Sequence, residues 1–201
     1  MVRYKYMIGI FLACFLFTLF LSPYLPNYLA VHWNQDGEPN EYARKQVVML
    51  FIPCLIICLH GLLYIISHYV YKFNENDRNI VMRFKENVSL FLLFIHMLIL
   101  VIGIGIDIPF QIGLIIGISA FLFMVSKGFK KGRKKEEEPI VLQKIRLFSQ
   151  RIFQYMSFII LICLFLKLQW GFYLLIGVIS CGSISFMFCI LYSYILGNYE
   201  I

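Results

Sequence analysis

The sequence is poor in acidic residues, with 11 Asp and Glu against 18 Lys and Arg in a chain of 201 residues. No Asp or Glu lies deep within any of its long apolar stretches. Ion-coupled pumps and intramembrane proteases rely on buried carboxylates or on zinc-binding motifs within the membrane. The scarcity of acid therefore argues against both of these classes.

Recognisable catalytic motifs are missing as well. The sequence contains no Ser-His-Asp arrangement, no Walker loop and no His-Glu-x-x-His motif. All six cysteines fall inside the apolar stretches, so the loops hold no disulfide framework. We therefore expect no catalytic residue, no metal site and no cofactor, and we expect that the protein is not an enzyme.

Apolar residues, by contrast, are abundant. They make up 61% of the chain, and the mean hydropathy is +0.80, whereas soluble proteins are roughly half apolar. A helix needs about 20 apolar residues to cross a bilayer. Six stretches approach or exceed that length: residues 7–23, 47–70, 88–106, 108–126, 152–168 and 171–197. The sequence predicts an all-α, polytopic six-helix bundle that forms a single membrane domain over residues 1–201.

The basic residues are distributed asymmetrically between the connectors. Fifteen of the 18 lie in residues 1–6, 71–87 and 127–151, and the intervening connectors hold only Arg44, Lys45 and Lys167. Cytosolic loops are enriched in Lys and Arg, so both termini are predicted to be cytosolic. Anionic lipid headgroups on that side account for the net charge of +7, and no nucleic-acid partner is expected.

The connector at residues 127–151 has two parts. Residues 130–139 are a solvated block of charge. From Ile140 onward, apolar residues recur at a spacing of three or four with basic residues between them, which predicts a helix lying in the inner membrane interface before the fifth stretch. This segment either anchors the topology or offers a docking surface to a cytosolic regulator.

Residues 24–46, named here the exterior loop, are the most polar stretch on the predicted outer side. Asp36-Gly37 and Glu38-Pro39-Asn40 are successive turn signals. We expect an ordered loop folded back on the membrane, with Trp33 at the interface. Its alternating polar residues have three possible roles: they hydrogen-bond the turn, contact a peptide or other ligand, or bind a hard cation.

The exterior loop also resembles a known family. Pro26, His32-Trp33-Asn34, Gly37-Glu38-Pro39-Asn40, Tyr42 and Lys45 stand between two apolar stretches. This arrangement resembles the N-terminal domain of the SdpI-like family, bacterial membrane proteins whose named member gives immunity to a secreted toxic peptide. The second family signature, in the C-terminal half, is absent.

The resemblance implies a location in the bacterial plasma membrane and an extracellular antimicrobial peptide as partner. The function it implies is binding or sensing of that peptide for self-protection, in a protein whose other partner is the lipid bilayer. The candidate ligand-binding residues are His32, Trp33, Asn34, Asp36, Gly37, Glu38 and Pro39. The alternative function is that of a membrane transport component or an accessory subunit of an exporter.

Three histidines lie within the apolar stretches: His68 is expected at the inner interface, whereas His60 in the second stretch and His96 in the third are expected near the midplane. A histidine in a membrane span usually faces the bundle and finds a partner. His60 and His96 could share a hydrogen bond as neutral imidazoles. Alternatively, they could take part in a proton relay or bind a ligand. Small residues on the fourth stretch (Gly113 and Gly117) and on the sixth (Gly177, Cys181 and Ser185) predict close helix packing within the bundle, with dimerisation as the alternative.

Overall fold

The computed structural model describes residues 2–69, 75–130 and 140–197. Six α-helices and one β-hairpin make up most of these residues. In chain order they are α1 (Val2–Leu21), β1 (Tyr28–Trp33), β2 (Pro39–Arg44), α2 (Lys45–Tyr69), α3 (Glu75–Gly103), α4 (Phe110–Lys130), α5 (Ile140–Ile162) and α6 (Leu168–Gly197). Short 3₁₀ helices follow α1 and α5, at Ser22–Tyr24 and Cys163–Phe165. The predominantly helical fold is confirmed.

Three helices carry segments that are long and apolar enough to cross a membrane. These segments are Arg83–Gly103, Phe110–Gly128 and Gln143–Phe165. The other three helices hold shorter apolar segments within the described residues, at Cys14–Tyr24, Lys45–Leu59 and Tyr173–Ser185. The helices thus support a membrane location, while six spans and cytosolic termini stay predictions.

The exterior loop departs from the all-α prediction, because its residues form an antiparallel hairpin. Leu29 pairs with Ala43, and Trp33 pairs with Pro39. The expected second turn at Glu38-Pro39-Asn40 is therefore wrong, since Pro39 opens β2. Proline is tolerated at the first residue of a strand because no ladder hydrogen bond is lost there.

Two helix boundaries also differ from the expected ones. α5 runs without a break from Ile140 to Ile162, so the turn expected between an interfacial helix and the fifth span is absent. α3 begins at Glu75, well before the expected residue 88. Neither added segment contains Gly or Pro to stop a helix. Residues 131–139 of the charge block lie outside the described residues.

The chain separates into two compact units. Unit 1 comprises Met1–Lys72 and Val88–Gly117, and unit 2 comprises Phe73–Asn87 and Ile118–Ile201. The core of unit 1 brings together α1, the hairpin, α2 and α3 through buried apolar side chains: Leu21, Leu25, Leu29, Val48, Met49 and Leu100. Gly113 and Gly117 of α4 let Leu98 and Phe94 of α3 pack directly on the α4 backbone.

In unit 2, α4 and α5 are joined by a reciprocal pair of serines. Ser119 Oγ donates to the carbonyl of Ser157 at 2.9 Å, and Ser157 Oγ donates to the carbonyl of Ser119 at 2.9 Å. Both side chains are buried. Gly182 of α6 leaves room for Met156 of α5. Gly177 and Cys181, expected to pack within the bundle, are exposed on α6 instead.

Candidate ligand-binding hairpin

The turn between the two strands is organised by Asn34. Its side-chain Oδ1 accepts hydrogen bonds from the backbone N–H groups of Asp36, at 3.0 Å, and Glu38, at 2.9 Å. Its own N–H donates to the carbonyl of Glu38 at 2.9 Å. Gly37 adopts a φ of 87°, a conformation that favours glycine. The expectation that Asn34 hydrogen-bonds the turn is confirmed.

His32 lies on β1 where the strand register shifts. Val31 is an extra residue between the pairs Ala30–Tyr42 and His32–Glu41, which makes a bulge. The bulge brings His32 Nδ1 to 2.6 Å from Asn40 Oδ1 across the strands. Because an amide oxygen only accepts, Nδ1 carries the proton and donates. The His32 side chain is exposed, so its other ring nitrogen, Nε2, is the atom that a ligand could contact.

The tip of the hairpin is held by the start of α4. The rings of Trp33 and Phe110 stack with a centroid distance of 3.7 Å and an interplanar angle of 5°. Beside this stack, Gln111 Nε2 donates to the backbone carbonyl of Asn34 at 3.1 Å. Trp33 is therefore a structural anchor of the hairpin within unit 1 rather than an open ligand contact.

The base of the hairpin is fixed by Lys45 and Leu29. Lys45 Nζ donates to the carbonyls of Ser22, at 3.2 Å, and Leu25, at 3.5 Å, which lie in and directly after the 3₁₀ helix that follows α1. Leu29 is only 1% exposed and packs in the core of unit 1. Gly103 of α3 permits this packing, since a Cβ there would lie 2.5 Å from Leu29 Cδ2.

The opposite face of the hairpin is open. Strand side chains alternate between faces, so the inward Leu29–Ala43 pair leaves Tyr28, Tyr42 and Arg44 on the outward face. Tyr28 is 56% exposed and Tyr42 is 57% exposed. Tyr28 pairs with Arg44, and Ala30 pairs with Tyr42. The two tyrosines are thus diagonal neighbours with a cation beside them.

The structure divides the predicted site residues by role. Trp33, Asn34, Gly37 and Pro39 shape or anchor the hairpin, whereas His32 and Glu38 are exposed side chains that a ligand could contact. Asp36 is also exposed. Asn34 Oδ1 already accepts two bonds, and the described residues contain no group of three His, Cys, Asp or Glu that could hold a metal.

The structure places His96 beside Thr18. It is fully buried, and its Nε2 lies 3.0 Å from Thr18 Oγ1 of α1. The side chain of His60 lies outside the described set, so the pairing of the two histidines stays a prediction. A transport pathway needs water around its polar groups, and His96 is inaccessible to solvent in this structure.

Sequence reasoning missed Thr18, Phe110 and Gln111 as partners of predicted site residues. Thr18 is one residue in an apolar stretch and carries no motif of its own. Phe110 and Gln111 lie near the start of the fourth apolar stretch. The prediction of six spans puts that end of the stretch on the same side as the exterior loop. That shared side was a usable signal, although nothing in the spacing specified which residues would meet.

The first helix, the hairpin and the first half of α2 match a known sequence model. Residues 9–57 match a domain of unknown function, DUF1648, which is found in membrane proteins. No curated protein and no solved structure matches the chain. The match ends in α2, so Phe110 and Gln111, which hold the tip of the hairpin, lie outside it.

Proposed function

We propose that the protein recognises an amphipathic peptide at the outer surface of a bacterial plasma membrane and thereby protects the cell that makes it. The resemblance of the exterior loop to the SdpI-like family motivates this class of function. The observation that carries the proposal is the hairpin itself, which is anchored on one face and exposes two tyrosines and an arginine on the other. Its role is binding, without catalysis.

The chemistry of the open face suits such a ligand. Tyrosine rings offer apolar area and a polar hydroxyl at the height where a membrane meets water. An amphipathic peptide lies at that same height with its apolar side in the lipid. Contacts with Tyr28 and Tyr42 would bury apolar peptide side chains, and the exposed Glu38 of the turn would pair with a basic one.

The backbone of the hairpin supplies a second means of recognition. The described sheet has two strands, so each strand has an outer edge at which backbone N–H and C=O groups face away from the partner strand. An extended peptide could add to that edge through main-chain hydrogen bonds, while side chains of the open face select its sequence.

A cytosolic consequence of capture is also proposed. Lys127 at the end of α4 and Lys144 and Arg151 on α5 are exposed cations, within the connector expected to meet a cytosolic regulator. Capture at the hairpin would be reported through this connector to such a partner.

Survival of bacteria tests the proposal directly. Cells expressing the chain are challenged with the secreted peptide fraction of the strain that encodes it, and the inhibitory dose is measured. The double variant Tyr28→Ala/Tyr42→Ala should abolish protection, and His32→Ala should weaken it. Tyr155→Ala is the matched control, because that tyrosine is equally exposed but lies on α5. Equal protection by the wild type and the double variant would refute the proposal.

The orientation has its own test. A reporter fused at residue 36 should be active outside the cytosol. Activity in the cytosol would place the hairpin on the wrong side for a secreted ligand.

A further inference from the structure

The outer edge of β2 is the more open of the two edges of the hairpin. Five of the six residues of β2 are exposed, whereas β1 buries Leu29 and half-buries Ala30 and Trp33. The described sheet ends at this edge, because it has two strands. An exposed strand edge is a template on which a further strand can pair.

The hydrogen-bond pattern decides which backbone groups face that edge. Lys45 N–H donates to the carbonyl of Asn27 at 2.9 Å. Hydrogen-bonded and non-hydrogen-bonded pairs alternate along an antiparallel ladder, so the next hydrogen-bonded pair is Leu29 with Ala43. Tyr42, which precedes Ala43, therefore belongs to a non-hydrogen-bonded pair. Its N–H and C=O point away from β1 and out of the sheet.

We propose that this edge pairs with the same edge of a second copy of the chain, antiparallel and with the two copies of Tyr42 opposite each other. In that register the N–H of each Tyr42 donates to the carbonyl of the other, so the edge satisfies itself. A two-fold dimer uses the same patch on both subunits. The product is a four-stranded sheet that joins the open faces of two hairpins.

The charges of the hairpin favour a second copy as the partner. Asp36 and Glu38 are exposed at its tip, whereas Arg44 is exposed at its base and is followed by Lys45. Antiparallel pairing of two copies places the acidic tip of one hairpin beside the basic base of the other, at both ends of the interface. Opposite charges that meet in this way fix the register and the partner.

The position of the hairpin in unit 1 suits a dimer within one membrane. Two copies with the same orientation in a membrane are related by a two-fold axis along the membrane normal, and the axis between antiparallel strands is perpendicular to their sheet. Leu29 packs against Gly103, the last residue of α3, and Trp33 stacks on Phe110, the first residue of α4. The sheet thus lies across helix ends, so the axis perpendicular to it follows the membrane normal.

Cysteine cross-linking in native membranes tests the pairing. Tyr42→Cys should give a disulfide-linked dimer under mild oxidation, because opposite residues of a hydrogen-bonded pair have Cα atoms about 5.5 Å apart, within disulfide range. Tyr28→Cys is the matched control. It is equally exposed on the same face, but it lies on β1, so its two copies would be at least about 14 Å apart, three strand spacings. The wild type, with its six native cysteines, gives the background.

Proline variants test the backbone bonds. Tyr42→Pro removes an N–H that the hairpin itself does not use, and proline is tolerated on edge strands, so the fold should persist. In detergent the wild type should have a protein mass of twice 23.7 kDa. Tyr42→Pro should weaken dimerisation by about 10-fold or more, because both bonds at the axis are lost. Ala30→Pro, at the outer edge of β1, should leave the dimer intact.

A charge exchange tests the register. Arg44→Glu should weaken dimerisation, and adding Glu38→Lys to the same chain should restore part of it. Equal cross-linking of Tyr28→Cys and Tyr42→Cys, or none with Tyr42→Cys, would overturn the proposal. A monomeric wild type that loses protection in Tyr42→Pro would also overturn it, because the edge would then belong to a peptide. Dimerisation is measured without peptide, so its outcome is separate from that of the survival assay.

Discussion

The two compact units use their polar side chains for different purposes. In unit 2, Ser119 and Ser157 bind each other's backbone and join one helix to the next. In unit 1, Asn34, Lys45 and Gln111 donate or accept bonds that hold a non-helical element in place. The serine pair of unit 2 therefore joins helices, whereas these three side chains of unit 1 stabilise a surface. This difference supports the proposal that the hairpin of unit 1 is the recognition element.

The largest expected effect concerns the apolar side chain that joins the hairpin to unit 1. Leu29→Ala should lower the free energy of unfolding by about 2–5 kcal/mol, because a buried leucine is replaced by a cavity. Denaturant titration in mixed micelles measures the change. Val31→Ala, on the exposed part of the same strand, should change stability by less than about 0.5 kcal/mol. Similar losses for both variants would show that Leu29 is not an anchor.

The next largest effect on stability is expected in the turn between β1 and β2. Asn34→Ala should lower the free energy of unfolding by about 1–3 kcal/mol, since two backbone N–H groups lose their acceptor. Asn34→Asp keeps an acceptor oxygen and should restore most of the stability. Failure of the aspartate variant to rescue would mean that the amide nitrogen of Asn34, rather than Oδ1, matters.

Variants of Ser119 and Ser157 test whether polar side chains join the helices of unit 2. Ser119→Ala and Ser157→Ala should each lower the free energy of unfolding by about 0.6–2 kcal/mol, the range for hydrogen bonds between membrane helices. The double variant should cost less than the sum, because the two bonds share the same pair of residues. Ser183→Ala, exposed on α6, is the control and should add independently. Strict additivity of the Ser119 and Ser157 effects would argue against their reciprocal bonding.

The smallest expected effect belongs to the ring stack at the hairpin tip. Phe110→Leu should lower the free energy of unfolding by about 0.5–1.5 kcal/mol more than the loss of buried apolar area alone would. In a Trp170→Phe background, Trp33 is the sole tryptophan, and its emission should shift to the red as the ring loses its cover. Phe165→Leu, an exposed position, should leave the emission unchanged. A constant emission in Phe110→Leu would place Trp33 away from α4.

Sequence patterns predicted the helices well and the contacts between distant segments poorly. Long apolar stretches overlap every α-helix of the described residues, because burial in lipid or protein demands apolar side chains. The hairpin was read as successive turns, since Pro39 and Asn40 are common in turns and only the pairing with β1 makes them a strand. The α3 extension was missed because its residues are polar, although nothing in them stops a helix.

In the candidate site too, local features are predicted from the sequence and contacts between distant segments are not. Asn34 and Gly37 were recognised from local chemistry, which a short segment fully contains. The partners of Trp33 and His96 depend on which helices pack together, and no local pattern encodes that choice. The contacts that Thr18 makes with His96 and Phe110 makes with Trp33 are therefore seen only in the folded structure.

The stacking of Trp33 on Phe110 limits how freely this part of the protein can be transplanted. The segment that matches DUF1648 ends at residue 57, so it contains the tryptophan but neither Phe110 nor Gln111. Grafting residues 9–57 onto another helical scaffold would carry the strands and their turn while leaving the tip without support. A working chimera needs an aromatic ring and an amide donor at the start of whichever helix takes the place of α4.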